Sequence, residues 1–135
     1  MIARLEKITQ ALIGVLLFAP LVVSGSTLFP TMIPKVVVMC SLVTLLLGCY
    51  LCLLFADWSR YRPRWSWVTV GVLLFFGSMA ISTWAGVDPY HSFWDEYDRM
   101  EGLFIAGHYV VLYFVLSAVL KNRSDWERAL QIFMI

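Results

Sequence analysis

The chain has 135 residues, of which 61% are hydrophobic and 14% charged, and its formal net charge is +1. An ordinary soluble domain is about one quarter charged. A water-soluble globular protein of this length is therefore excluded, and an all-α, polytopic integral membrane protein is expected. So small a net charge says little about partners; membrane lipids are expected and nucleic acid is not.

Four segments approach or reach the ~20 residues a helix needs to cross a bilayer. The first covers about 8–28, ITQALIGVLLFAPLVVSGSTL. Pro20 falls near its middle and should kink it, a defect that neighbouring helices absorb in lipid. Arg4 and Lys7 before an apolar core also fit a signal peptide. The core is long, however, and VVSGS is a poor cleavage site, so a retained span is expected.

The second segment, about 36–56, carries no charge at all. It holds the three cysteines, Cys40, Cys49 and Cys52. No histidine or cysteine cluster elsewhere completes a metal set. The spacing of Cys49 and Cys52 permits a disulfide, but the expected role is that of small apolar side chains. The third segment, about 65–87, offers Gly71, Gly77, Ser78, Ser82 and Thr83 as small positions where helices can approach closely, and that face is expected to pack inward.

A loop follows over 88–101, DPYHSFWDEYDRME, in which Asp88, Asp95, Glu96, Asp98 and Glu101 surround a single Arg99. The fourth segment, about 102–120, contains His108 roughly two turns in. An ionisable residue inside a span is a functional candidate by default, but a neutral imidazole bonded to a neighbouring helix is the expected role here. Over 124–135, SDWERALQIFMI pairs Ser124 as N-cap with Glu127 three residues on, a capping box before an apolar run. This reads as the start of a fifth helix, so an N-terminal piece of a longer protein is expected; the alternative is a short C-terminal interfacial helix. No glycine-rich phosphate loop, zinc spacing or repeat occurs, and neither a cofactor nor a metal is expected.

Orientation follows from counting lysine and arginine. Arg4, Lys7, Arg60, Arg62, Arg64, Lys121, Arg123 and Arg128 fall on one side; Lys35 and Arg99 fall on the other. The positive-inside rule then places both termini in the cytoplasm and the acidic loop outside. Trp58, Trp65 and Trp67 lie at the inner boundary and Trp84 and Trp94 at the outer, as aromatic belts do.

The loop pattern of Asp88, Pro89, Tyr90, Ser92, Phe93, Trp94, Arg99 and Gly102 resembles a signature of the bacterial O-antigen ligase and polymerase-like membrane glycosyltransferases. In that family it follows a span ending in a small-residue turn, like STWAGV, and precedes one opening on Gly-Leu, like GLFIAGHYVVLY. LFPTMIPK, ending at Lys35, is similar to the family's first outer loop. The resemblance covers nearly the whole chain. It departs at Asp95, where the family usually has glycine. It implies a multi-spanning protein of the bacterial inner membrane, which moves glycan from a polyprenyl diphosphate carrier to an acceptor at the outer face. The family's catalytic residues lie on a later outer loop, so none is assigned in this chain.

On this reading Arg99 and Lys35 are the candidate diphosphate-binding residues, since they are the two cations on the outer side and arginine donates bidentate hydrogen bonds to phosphate. Pairing of Arg99 with neighbouring carboxylates and snorkelling of Lys35 are the competing structural roles. Asp88, Ser92, Phe93, Trp94 and Gly102 are the loop-motif positions. His91 is expected to be a surface residue. Two other functions stay open: a small four-helix scaffold or assembly protein, and a fragment of a secondary transporter. The second is disfavoured because transporters place polar groups at mid-membrane.

Overall fold

The computed structural model describes residues 2–22, 32–63, 65–95, 102–121 and 123–133. They are helical, with no strand among the described residues. The helices are α1 (Ile2–Leu16), α2 (Ile33–Ala56), α3 (Trp58–Tyr61), α4 (Trp67–Ala85), α5 (Pro89–Trp94), α6 (Leu103–Val119) and α7 (Arg123–Phe133). Two of them, α2 and α4, are long and apolar enough to cross a membrane; α6 is apolar but shorter, at 17 residues.

The first apolar segment is where the fold departs most from expectation. It does not run as one kinked helix over 8–28. The α-helix begins at Ile2, ends at Leu16, and gives way to a 3-10 turn at Ala19–Leu21. Pro20 explains the stopping point. A helix continued through it would need a Pro20 N–H bonded to the Leu16 carbonyl, and proline has none, while its ring crowds that same carbonyl. Residues 23–28 of that segment lie outside the described residues.

The other long helices lie close to their expected ranges because their ends carry local stop signals. Pro34 occupies the first turn of α2, where a missing N–H costs nothing. Asp57 ends α2 and starts α3: its N–H bonds to Leu53 O, and its carboxylate accepts from Arg60 N at 3.1 Å and from Ser59 Oγ at 2.8 Å. Ser66 caps α4 by accepting from Thr69 N.

The core is a seam between α1, α2 and α6. Val43, Leu46, Tyr50 and Leu53 recur at three- and four-residue spacing on α2 and are buried against Ile13 and Leu16 of α1 and Val115, Ala118 and Val119 of α6. That spacing puts one stripe of a helix against its neighbours. The helices alternate in direction. Glu6 near the start of α1 meets Arg60 just past the end of α2, through both carboxylate oxygens at 3.2 Å. Lys121, just past α6, donates to the Arg60 carbonyl and lies 4.7 Å from the centroid of the Tyr61 ring. The start of α1, the α2–α3 corner and the end of α6 thus share one end of the molecule, and α5 lies at the other. The fully buried Tyr61 is tied in from the core side, where Tyr50 Oη donates to its carbonyl at 3.0 Å.

Helix α4 packs on α6 and α5 and is largely exposed. Three of its small residues do not form the contact face expected of them. Gly71, Ser78 and Ser82 are exposed, and a side chain at Gly71 or Gly77 would meet open space. Close approach occurs instead at Gly107 of α6, where an added Cβ would touch the Phe76 ring at 3.8 Å. Ser78 satisfies its own hydroxyl on the Phe75 carbonyl at 2.8 Å, so it needs no neighbouring helix. The polar tie between α4 and α6 is Thr69 Oγ1 to Tyr113 Oη at 2.9 Å, backed by Ser66 Oγ at 3.1 Å. Tyr113→Phe is expected to lower stability by only roughly 0.5 kcal/mol, because Thr69 keeps Ser66 as a partner; the midpoint of thermal unfolding in detergent checks this.

Just beyond α6, α7 begins at Arg123, one residue before the expected cap. Ser124 therefore lies inside the first turn, and Glu127 pairs with Arg123 at 2.8 Å instead of closing a capping box. Trp126 Nε1 reaches back to the Leu120 carbonyl at 3.0 Å, satisfying an end group of α6 that the helix itself leaves unpaired.

The Asp57 cap carries a pH dependence. The Ser59 hydroxyl and the Arg60 amide hold its pKa below the usual 3.8. A carboxylate with a depressed folded pKa stabilises the fold above its unfolded pKa, and loses that contribution as pH falls through the folded value. The α2–α3 corner is therefore expected to be insensitive to pH above about 5 and to loosen below 3.8. Asp57→Asn should remove the pH dependence, read as acid-induced change in thermal midpoint.

Candidate functional site

Phe93, Trp94 and Gly102 of the loop motif meet at the α5–α6 junction, and Asp88 opens α5. Asp88 accepts from His91 N at 3.0 Å and caps α5, and Pro89 takes the first position of that helix. The helix turns Phe93 and Trp94 toward the start of α6. Phe93 and Trp94 meet edge-on, with centroids 5.1 Å apart, and both rings lie against Phe104, at 6.1 Å and 5.1 Å. Phe104 in turn lies 4.6 Å from the His108 ring. Four aromatic rings from two helices thus form one run, within the 4.5–7 Å range of favourable ring pairs.

Two backbone positions make this junction possible. At Gly102 an added Cβ would lie 2.4 Å from the Phe93 carbonyl oxygen and 2.8 Å from the Trp94 carbonyl carbon. Only a residue without a side chain lets α5 come so close to the head of α6. At Asp95, φ is 62° and ψ is −178°, a region that is essentially glycine-only. This is the position where the sequence pattern of the resembled family has glycine. The departure is thus one of residue type, while the backbone adopts a conformation glycine would take without strain.

The remaining candidates fall elsewhere. Ser92 is exposed, and its N–H continues α5 by bonding to Asp88 O. His91 is exposed, as expected. Arg99 lies outside the described residues, as do Glu96, Asp98 and Glu101. Lys35, in the first turn of α2, lines a groove of about 610 Å³ between α1, α2, α4 and α6. Its other described walls are apolar, including Leu16, Pro20, Met39, Met79 and Ile105, and Tyr109 adds one polar side chain among the described residues. Among the described lining residues Lys35 is the sole charge.

Lys35 and the described loop aromatic Phe93 line different grooves. Phe93 and Phe104 line a second groove of about 460 Å³, on the other side of the α4–α6 contact, together with Val43, Thr44, Phe76 and His108. Among the described residues His108 bonds within its own helix and not to a neighbouring one: its Nδ1 lies 2.9 Å from the Phe104 carbonyl, one turn back. The i, i+4 spacing of Phe104 and His108 was the available signal for that pairing. Nothing in a single sequence indicates which groove the ring would line.

No family model, no curated protein and no solved structure matches this chain.

Proposed function

We propose that this chain is the donor-side portion of a lipid-carrier-dependent glycan transferase of the O-antigen ligase type. In this reading four helices, α1, α2, α4 and α6, span the bacterial inner membrane, with the N-terminus cytoplasmic and α5 at the outer face. The observation that carries it is Lys35, the sole charge among the described residues lining a largely apolar 610 Å³ groove. An isoprenoid diphosphate is an apolar chain with an anionic head, and such a groove with one cation at the end nearest α5 complements both parts. A second support is the end-to-end arrangement of charge: Arg60, Lys121 and the start of α1 gather at one end, as positive-inside placement requires. The exposed Trp58, Trp67 and Trp84 fall at helix ends, where aromatic belts lie.

Chemically, Lys35 would act as a point charge for a phosphate oxygen, and Arg99 would add a bidentate fork. The loop aromatics would hold the α5–α6 junction at the depth of the headgroups. The test uses the full-length protein, a polyprenyl diphosphate-linked glycan and membrane vesicles. Lys35→Ala and Arg99→Ala should each lower glycan transfer by at least about tenfold, the loss of one charge-assisted bond, with membrane insertion unchanged. Full activity in both variants would remove the proposal. A reporter fused after Trp94 that reads as cytoplasmic would remove the topology beneath it.

A further inference from the structure

We infer that the His108 groove is a binding site for a long-chain alcohol, with the imidazole accepting the hydroxyl hydrogen bond. The inference is independent of the transferase reading and concerns the 460 Å³ groove, not the one lined by Lys35.

Hydrogen-bond accounting at the groove wall leads to it. Among the described residues that line it, the two polar side chains are His108 and Thr44. The Phe104 carbonyl can only accept, so the 2.9 Å contact fixes His108 Nδ1 as the donor. In the neutral ring the proton is then on Nδ1, and Nε2 carries a lone pair with no partner among the described residues. Thr44 donates its hydroxyl proton to the Cys40 carbonyl at 2.8 Å, which leaves its oxygen able only to accept. With the ring neutral, the described residues lining the groove therefore offer acceptors and no donors. An anionic phosphate or carboxylate, which needs donors, does not match. A hydroxyl head does.

The rest of the groove describes the tail. Val43, Leu47, Val110 and Val111 form an aliphatic wall, and Phe76, Phe93 and Phe104 an aromatic one. The volume falls within the roughly 300–1,000 Å³ of small-molecule sites. His108 is six residues past Gly102, about 9 Å along the helix. A hydroxyl at that depth would lie beneath the rim formed by Phe93, with its chain running along α2 and α6.

The test is equilibrium binding of radiolabelled farnesol, a C15 isoprenoid alcohol, to the protein in phosphatidylcholine nanodiscs. Farnesyl methyl ether, which keeps the chain and removes the donor, should bind about tenfold more weakly, the cost of one lost hydrogen bond. His108→Phe keeps the ring against Phe104 and should weaken farnesol to the same degree. His108→Gln restores an acceptor near Nε2 and should bind within about threefold of the parent protein. Equal binding of farnesol and its methyl ether overturns the inference without any variant having to fold. No saturable binding of farnesol by the parent protein, or undiminished binding by His108→Phe, overturns it as well.

Discussion

Gly102→Ala should destabilise the protein by about 3 kcal/mol, near the upper end for overpacking a tight site. The cost is one of space, not of backbone conformation. Gly102 has φ −63° and ψ 175°, which any residue adopts. The added methyl would lie 2.4 Å from the Phe93 oxygen and within 3 Å of two carbonyl carbons. All three atoms are backbone, so no side-chain rotation relieves the clash. Either α5 separates from α6, breaking the Trp94–Phe104 contact at 5.1 Å, or α6 starts later. Thermal unfolding of the detergent-solubilised protein should show a lower midpoint, and near-ultraviolet circular dichroism a loss of aromatic signal. An unchanged midpoint and spectrum would mean that α5 does not lie against Gly102. Gly107→Ala serves as the comparison: its Cβ would make an ordinary 3.8 Å contact with Phe76, and it should be close to neutral.

The second large effect has the opposite sign. Asp95→Gly should be more stable than Asp95→Ala by about 1 kcal/mol. Both variants lose the carboxylate, so the comparison isolates the backbone. Alanine at φ 62° and ψ −178° retains a strain of roughly 1–3 kcal/mol, which glycine does not feel. Against this, glycine has the more flexible unfolded chain, a penalty of roughly 0.5–1 kcal/mol. The difference stays in favour of glycine. Paired thermal midpoints check it, and an alanine variant as stable as the glycine variant would show that residue 95 does not hold positive φ.

Much of the helical layout was legible because its causes are local. Uncharged runs bounded by Pro34, Asp57 and Ser66 carry their own start and stop chemistry, and α2 and α4 fall within a few residues of the expected ranges. Pro20 was read correctly as a defect and wrongly as a kink: whether neighbours hold a helix together across a proline depends on contacts the sequence does not display. The small residues of α4 misled for a related reason. Small size permits close approach but does not require it, and the contact formed at Gly107 instead. Of the candidate site, Asp88 as a cap and the clustering of Phe93 and Trp94 follow from short-range spacing. Gly102 was singled out as a motif position, but its physical role needs α5 folded back onto it.

By itself, the amino-acid sequence determined the all-helical class and the two long apolar helices. Each of these follows from hydropathy and charge within one segment. Tertiary structure decided which stripe of α2 is buried, that Glu6, Arg60 and Lys121 meet, and that Lys35 and His108 line separate grooves. Those outcomes depend on how helices far apart in the chain face one another, and in apolar surroundings nearly every face of such a helix is equally greasy. The choice among faces then falls to shape and to a few polar pairs, which exist only once the helices have met.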